Sequence, residues 1–488
     1  MGFEFLKRGL FFPNLSKLYT LSVQYLRNEQ RVGCEQLGRC LWSQRLSMKK
    51  PSIRAAQMCS LLVMLALTSL SWTQSLSPVD RARGHLMLKF MKEDLEKHYY
   101  DKHFHGLDAN ARFKEADQQI DSAANLSQMF WDIGETLLDL NDSHTMFVPP
   151  LRSYRIQYGW EMMMVGDTCM VTAVQPGSDA EAKGLTPGTI IGAINRVAPT
   201  RFSLPYIEYI IYSLMPQSAI QISVLQKDGT RSDLTIEAKV VRKSQIIDFT
   251  GRTGDLDYWD VQRELERIDR LDRSSLASFT DSTVIWKMPE FNLDEEGMDK
   301  GMNDLKSCKT LILDLRNNPG GYEETLSRFA GHFFDHDVTL FYTNHREKND
   351  SVVAHTQQNI FEGTVIVLVN SATTCAAEIF ARTIQLTKRG FVVGDFTGGM
   401  AAEAQFFRRE TGAATVVVYG TNITVAAITM PDGFRLERAG VVPDERILPT
   451  SNDLALGLDP VLAHALSLAG HITSAKKAAQ SFPIEWVR

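Results

Sequence analysis

Residues Val367–Arg382, VLVNSATTCAAEIFAR, join a strand to a helix and set the frame for the rest of the chain. An apolar run ends at Asn370, and a helical pattern begins near Thr373. We therefore predict a sharp strand-to-helix turn that carries Cys375. The positive end of the helix dipole favours a thiolate there over a thiol. A cysteine in a helix is more often just a small buried apolar residue, so the surrounding motifs must decide between the two readings.

Strands and helical segments alternate from residue 282 onward. The segments LILDL at Leu311–Leu315 and VIVLV at Val365–Val369 are almost entirely apolar. Strands of this kind are typical of a mostly parallel sheet that helices cover on both faces. We predict an α/β domain at residues 282–470 and a C-terminal tail at residues 471–488.

Short alternating strands and glycine-marked turns characterise residues 151–243. The series V-x-P-G-S-x-A-x-x-x-G-L-x-P-G-x-x-I-x-x-I-N, from Val174 to Asn195, resembles a PDZ domain in the circularly permuted form of processing proteases. That resemblance implies that a peptide binds as an added strand, with its terminal carboxylate in a backbone nest at Tyr158-Gly159-Trp160. A PDZ fold that serves only as a spacer is the alternative. The charged stretch at residues 244–281 is interpreted as a linker or a surface insertion.

The beginning of the chain is typical of a targeting segment, and we expect a signal peptide at residues 48–76. Basic residues precede the apolar stretch Cys59–Trp72, which is short for a spanning helix of about 20 residues. Residues 1–47 are then either a genuine extension or the product of a misplaced start. We expect a secreted or periplasmic protein that meets the membrane only transiently, through the signal peptide.

Composition narrows the classes of function. The chain of 488 residues is 44% hydrophobic and 23% charged, with a net charge of -6 at pH 7. Without a basic excess, a nucleic-acid partner is not expected. Cys169, Cys308 and Cys375 follow the signal segment with wide spacing, and no cysteine or histidine cluster has metal-ligand spacing. We therefore expect neither a disulfide framework, nor a metal, nor a cofactor.

Residues 77–150 are predicted to form a helical region. The segment from Leu126 to Leu140 is apolar on one face. It stops at Asn141-Asp142-Ser143-His144-Thr145, where Asn and Asp favour local side-chain hydrogen bonds over helix continuation. A Ser-His pair in a loop is usually solvated surface, so it matters only if a distant group needs a base.

Four motifs in the second half of the chain carry a family resemblance. They are LDLRNNPGG at Leu313–Gly321, VLVNSATTCAAEIFA from Val367, VVGDFTGG at Val392–Gly399 and ERAGVVPD at Glu437–Asp444. In this order they resemble the C-terminal-processing, or tail-specific, peptidases and their tricorn-core relatives. The resemblance covers roughly residues 80–450. It implies a crotonase-like, Clp-protease-like catalytic fold and a peptide or unfolded protein as substrate.

Two departures from the family pattern bear on the mechanism. The family's nucleophilic serine stands three residues before the glutamate that is Glu378 here, so Cys375 takes its place. The lysine base of the processing branch is replaced by Met400, which cannot accept a proton. Lys388 lies near the far end of the helix, about 20 Å away at 1.5 Å per residue, as a helix-end cation. A Ser/Lys dyad is therefore excluded.

The tricorn-type branch implies another base, a histidine within a Ser-His pair supported by a distant glutamate. This chain has the pair as Ser143-His144 and the glutamate as Glu437. Since imidazole titrates near neutrality, His144 is expected to deprotonate Cys375 and later to protonate the leaving amine. Ser143 and Glu437 are expected to orient the ring.

The oxyanion donors are expected to be the amides of Gly320 or Gly321 together with that of Ala376, each donor lowering the barrier by about 3 kcal/mol. The exchange of serine for cysteine also fits a decayed site, which leaves a catalytically inactive, peptide-binding relative as the alternative. A non-peptide hydrolase shares the fold, but the PDZ domain disfavours it.

Overall fold

The computed structural model describes residues 76–152, 154–225, 229–242, 275–412 and 416–482. The predicted extension at residues 1–47 lies outside them, as do the signal peptide apart from Leu76 and most of the 244–281 segment. Within the described ranges, no helix is both long and apolar enough to cross a bilayer.

The described part of the chain begins with a helical region. Side chains cap two of its helices, since Asp108 accepts a hydrogen bond from the amide of Ala111 and Asn125 from that of Gln128. The polar loop 141–145 follows the third helix and leads into a short strand. The elements are α1 Pro78–His98, α2 Ala109–Ser122, α3 Leu126–Leu138 and β1 Met146–Val148.

An antiparallel sheet with the strand order β3-β4-β5-β6-β7 follows, and β2 pairs separately with β8. We call this part, residues 154–242, the β domain. Strand β3 lies at the edge of the sheet, and a π-helical turn at Ile210–Leu214 extends helix α5. The elements are β2 Tyr154–Gln157, β3 Trp160–Val165, β4 Thr168–Val174, α4 Asp179–Ala182, β5 Ile190–Ile194, α5 Leu204–Tyr209, β6 Ala219–Leu225, β7 Arg231–Glu237 and β8 Lys239–Arg242.

The remaining elements form an α/β domain. In chain order they are β9 Ser275–Thr280, β10 Thr283–Lys287, α6 Glu295–Asp304, β11 Thr310–Asp314, α7 Glu323–Gly331, β12 Val338–His345, β13 Asn349–Ala354, β14 Thr364–Val369, α8 Ala376–Leu386, β15 Gly390–Gly394, β16 Ala402–Thr411, β17 Val417–Thr429, β18 Glu445–Arg446, α9 Ser451–Ala455, α10 Pro460–Leu468 and α11 Ala475–Ala479.

Its larger sheet has the order β18-β15-β14-β11-β10-β9 and is parallel except for the β9 pairing. Alternate residues of its strands face opposite cores. Leu311 and Val367 pack with Phe329 and Phe380, whereas Ile312 packs on the other face against helix α10. Each such buried side chain stabilises the fold by about 1.5–3 kcal/mol. The carboxyl ends of β11 and β14 lead directly into the predicted motifs.

The second sheet was not predicted. It is antiparallel, with the order β1-β17-β12-β13, and β16 also pairs with β17. Strand β1 pairs with β17 through Met146 opposite Asn422. Because β1 directly follows the loop 141–145, this pairing attaches the Ser-His pair of the helical region to the α/β domain.

Candidate active site

Cys375 lies between β14 and α8 in a backbone conformation that side chains rarely adopt, with φ 53° and ψ −120°. A residue other than glycine costs about 1–3 kcal/mol in such a conformation, so its surroundings must hold it. The amide of Cys375 donates to the carbonyl of Met400 at 2.8 Å and to Oε2 of Glu378 at 3.0 Å. The thiol is half-buried, and Sγ lies 3.9 Å from the carbonyl oxygen of Ala402.

The helix begins at Ala376, later than the predicted start near Thr373. The hydroxyl of Thr373 donates to the carbonyl of Leu315 at 2.8 Å, and its own carbonyl accepts from Gly398. These bonds commit Thr373 to the loop. As a result Cys375 is the N-cap residue, at the positive end of the helix dipole and next to the amide of Ala376.

Glu378 is a buried carboxylate that holds the loops beside Cys375 through hydrogen bonds. It accepts hydrogen bonds from the amides of Cys375, Gly399 and Met400 at 2.8–3.0 Å. The hydroxyl of Thr397 donates to it at 2.5 Å. Burial raises the pKa of Glu378 to about 7, and these donors oppose the rise.

The structure brings Ser143, His144 and Glu437 together. The hydroxyl oxygen of Ser143 lies 2.8 Å from Nδ1 of His144 and 2.8 Å from Oε2 of Glu437. The carboxylate of Glu437 also accepts from the amide of Ser143 at 3.3 Å and from that of Ala401 at 2.9 Å. Glu437 is thus held from two sides, by Ser143 of the loop 141–145 and by the amide of Ala401.

Cys375 is near enough to the imidazole of His144 to shift its pKa. Burial by itself lowers the pKa of His144, but the interactions with Cys375 raise it. The carboxylates of Glu437 and Asp142 add to the rise, and the resulting pKa is about 9. This environment therefore favours an imidazolium at neutral pH.

Glycines bring the backbone close to Cys375. A Cβ on Gly320 would lie 2.6 Å from Cβ of Cys375 and 2.9 Å from the amide nitrogen of Ala376. The amide of Gly320 donates to Oδ1 of Asn318 at 2.8 Å. The amides of Gly321 and Ala376 have no hydrogen-bond acceptor within the part of the chain that the structure describes. Of the predicted donors, these two are therefore available to an oxyanion.

The two residues considered in place of the family lysine have other roles. Met400 holds the turn through its backbone, since its carbonyl accepts from Cys375 and its amide donates to Glu378. Lys388 lies beyond the end of α8 with φ 56°, at the opposite end of the helix from Cys375.

In the proposed peptide nest, the side chains of Tyr158 and Trp160 are 2% and 5% exposed and belong to the core of the β domain. Only the backbone there is available to a peptide. Gly159 has φ +75°, and its carbonyl accepts from the amide of Gln175 at 2.8 Å.

The β domain contacts both sides of the candidate site. On the side of Cys375, the hydroxyl of Ser371 donates to the carbonyl of Met164 in strand β3 at 2.6 Å. On the side of His144, the hydroxyl of Tyr206 donates to the carbonyl of Asp142 at 3.2 Å and accepts from Arg438 at 2.9 Å.

With the site described, comparison with known proteins identifies the family. Residues 283–447 match the model described as peptidase family S41. This segment of the α/β domain is a peptidase family S41 domain. The carboxyl-terminal-processing protease of Picosynechococcus sp. is 26% identical over 324 residues, which cover 64% of this chain and 71% of that protein. The chloroplastic carboxyl-terminal-processing peptidase 1 of Arabidopsis thaliana is 22% identical over 344 residues, covering 66% of this chain and 63% of that protein.

Two solved structures have a fold similar to that of this chain. Mature CPAF is 14% identical with a TM-score of 0.57, and the likeness covers 81% of this chain and 99% of that one. Mature CPAF complexed with lactacystin gives a TM-score of 0.55 at 13% identity, over 77% and 95% of the two chains. The predicted α/β class is confirmed.

Sequence reasoning assigned no role to two carboxylates at the site, Glu378 and Asp142. Glu378 stands three residues after the N-cap, the spacing of a capping box, and that signal was available in the sequence. The local hydrogen bonds expected of the 141–145 turn are made by Asp142, whose Oδ1 accepts from the amides of His144 and Thr145.

Proposed function

We propose that this S41 peptidase cleaves peptide bonds with Cys375 as the nucleophile and His144 as the base, supported by Ser143 and Glu437. The observation that carries the proposal is the hydrogen-bonded series from Glu437 through Ser143 to His144, whose imidazole is near enough to Cys375 for the two groups to influence each other. These side chains come from three distant parts of the chain. A nucleophile, a base and an orienting group in contact form the arrangement of a covalent hydrolase.

The reaction proceeds in two steps. The sulfur of Cys375 attacks the carbonyl carbon of the scissile bond once its proton has passed to His144. The C–N bond then breaks as His144 gives that proton to the leaving amine, which leaves the acyl group as a thioester on Cys375. Water attacks the thioester, His144 accepts its proton, and the acid product leaves as the thiol is restored.

The negative oxygen of each tetrahedral intermediate is held by the amides of Gly321 and Ala376. Their support is the absence of competing acceptors among the described residues and the closeness of Gly320 to Ala376. Preorganised amides stabilise charge that develops only in the transition state. The amide of Gly320, by contrast, is engaged by Asn318.

The β domain is proposed to be a PDZ domain that delivers the substrate. Its support is the sequence series from Val174 to Asn195 and the position of β3 at the sheet edge. An unfolded peptide tail adds as a strand beside β3, with its carboxylate near the backbone of Tyr158-Gly159-Trp160. The names of the relatives, carboxyl-terminal-processing proteases, point to the same region of a substrate.

The protein is further proposed to act outside the cytoplasm, as a secreted or periplasmic enzyme. The basic and apolar pattern at residues 48–76 supports a cleaved signal peptide. The domain organisation then consists of a helical region that supplies the base, the PDZ domain and the α/β domain that supplies the nucleophile.

A peptide-binding pseudoenzyme is the second candidate function. The observation that favours it is the cysteine at the position of the family's serine. Such a protein keeps the β domain and the fold but has no activated nucleophile.

Alkylation of the native full chain separates the two candidates. Iodoacetamide labelling followed by peptide mass spectrometry gives one rate for Cys375 and another for Cys308, a half-buried thiol whose pKa is raised by burial. At pH 7 we expect Cys375 to react at least about tenfold faster than free cysteine, and His144→Ala to remove the advantage. Cys308 serves as the internal reference in both proteins. A Cys375 no faster than free cysteine, with or without His144, would contradict the enzyme.

A further inference from the structure

We propose that Asp142 is a positioning residue that fixes His144 for its part in the reaction. The inference rests on the proposed function, because it assigns to His144 the role of base. Asp142 makes no described hydrogen bond to Cys375 or Glu437, so its effect on the reacting groups passes through His144.

The carboxylate of Asp142 is 6% exposed and has donors on both oxygens. Its Oδ1 accepts from the amide of His144 at 2.9 Å, from the amide of Thr145 at 3.0 Å and from the hydroxyl of Thr424 at 2.6 Å. Its Oδ2 accepts from the hydroxyl of Tyr99 at 2.9 Å. Hydrogen bonds to an ionised acceptor are the stronger kind, so this group fixes the loop firmly.

The donors belong to separate elements of the fold. Tyr99 follows helix α1, and Thr424 lies in strand β17, which also pairs with β1. The amide side chain of Asn422 in the same strand donates to the carbonyl of His144 at 2.8 Å. The backbone of His144 is therefore held at its amide by Asp142 and at its carbonyl by Asn422.

This support matters because a base must keep its ring on the nucleophile. His144 lies on a loop between α3 and β1, and a loop position is less constrained than one within a helix or strand. Small displacements of a reacting group cost about 100-fold in rate. Asp142 supplies the constraint that the secondary structure does not.

Asp142 also contributes charge to the site. The charged groups that face the imidazole are Cys375 from the turn before α8, Glu437 from the loop after β17, and Asp142 itself. Arg438 lies beside Glu437, with Nε 3.8 Å from Oε1. A negative Asp142 favours the imidazolium, so its removal should make His144 easier to deprotonate.

The test compares Asp142→Asn and Asp142→Ala with the wild-type full chain. Asparagine keeps an acceptor for the two amides but removes the charge, whereas alanine removes both. The pH profiles of Cys375 alkylation and of peptide hydrolysis are measured, with kcat and KM separated. Asp94→Asn is the control, because Asp94 is an equally buried carboxylate that pairs with Arg409 instead of the base loop.

For Asp142→Asn we expect the titration of His144 in the alkylation profile to move to lower pH, with a modest loss of kcat. For Asp142→Ala we expect kcat to fall by about 10- to 100-fold with little change in KM, from the loss of hydrogen bonds to a charged group. Asp94→Asn should leave the profile unchanged.

The proposal would be overturned if the Asp142 variants kept the wild-type pH profile and kcat. It would also be overturned if Asp94→Asn, at an equal loss of stability, changed the profile and kcat as much as the Asp142 variants do. If Asp142→Ala does not fold, the pH profile of Cys375 alkylation is measured in Asp142→Asn and Tyr99→Phe instead. The alkylation profile also separates this inference from the proposed function. A wild-type protein that does not hydrolyse peptides would refute the function, while the shift in the profile would still report on Asp142.

Discussion

The hydroxyl of Ser143 donates a 2.8 Å hydrogen bond to Oε2 of Glu437, which stands 294 positions further along the chain. A hydroxyl has a single proton, so the oxygen of Ser143 must accept its other bond from Nδ1–H of His144, 2.8 Å away. This fixes the neutral imidazole in the tautomer with the proton on Nδ1. Nε2 is then free to accept a proton from Cys375.

Ser143→Ala should lower kcat/KM by about 10- to 100-fold, because a hydrogen bond to a charged group contributes about 1.5–3 kcal/mol. The loss should appear mainly in kcat, since Ser143 is proposed to orient the base and not to touch substrate. Steady-state hydrolysis of a peptide substrate measures it. Ser327→Ala, which removes an exposed serine hydroxyl from helix α7, should have no effect. Equal activity of the two variants would rule out the role of Ser143.

The raised pKa of His144 predicts how the rate of hydrolysis depends on pH. Its pKa is about 9 in the folded protein against an ordinary value of 6.5. Hydrolysis should therefore decline as pH rises through about 9, because the imidazolium that protonates the leaving amine is lost. In Cys375→Ala the interactions of the sulfur with the imidazole are gone, so the pKa of His144 should fall. NMR titration of the ring in both proteins measures the change, and identical titrations would contradict the His144–Cys375 interaction.

The same shift makes stability depend on pH. A histidine whose folded pKa is raised contributes stability that is fully present below its unfolded value of 6.5. That contribution is lost as pH rises through about 9. Chemical denaturation across this range should show wild type losing more stability than His144→Gln. If the free energy of unfolding depended on pH in the same way in both proteins, the raised pKa of His144 would be contradicted.

Gly320→Ala should disrupt the site. The new Cβ would lie 2.6 Å from Cβ of Cys375, and the backbone φ of +103° is already unfavourable for alanine. We expect a loss of stability of about 1–3 kcal/mol and a loss of activity of about 100-fold. Gly470→Ala is the matched control, since Gly470 has φ +83° but open space around it. Thermal unfolding measures the loss of stability, and peptide hydrolysis measures the loss of activity. An equal loss of activity in the two variants would show that the close approach of Gly320 to Cys375 is not needed for activity.

Glu378→Gln should loosen the turn that holds the nucleophile. Glutamine replaces one carboxylate oxygen with an NH2 group, which must then face donors such as the amides of Cys375 and Met400 or the hydroxyl of Thr397. At pH 8 we expect a stability loss of about 1–3 kcal/mol and slower alkylation of Cys375. Chemical denaturation and labelling kinetics measure the two effects. Unchanged alkylation at reduced stability would limit Glu378 to a structural role.

The parallel sheet and the nucleophile turn could be predicted because their signals are local. The segments at Leu311–Leu315 and Val365–Val369 are apolar on both faces, and only a strand covered on both sides suits them. The start of α8 was misplaced by contrast, because the side chain of Thr373 bonds to distant Leu315. A tertiary bond of that kind leaves no local periodicity to find.

The antiparallel sheet was missed for a related reason. Strand β16 consists mostly of half-buried residues with exposed ones at irregular intervals, a weaker pattern than a continuous apolar run. The sequence also could not decide whether Gly320 or Gly321 supplies the proposed oxyanion donor. Gly320 and Gly321 are adjacent and chemically identical, and only the bond from Gly320 to Asn318 distinguishes their amides.

Cleavage of denatured casein by wild-type protein and by Cys375→Ala, at equal concentration and with products identified by mass spectrometry, tests the central claim most directly. The structure of the site leads us to expect fragments from wild type and none from Cys375→Ala. The same result for both proteins, whether both cleave casein or neither does, would contradict Cys375 as the nucleophile of an active peptidase.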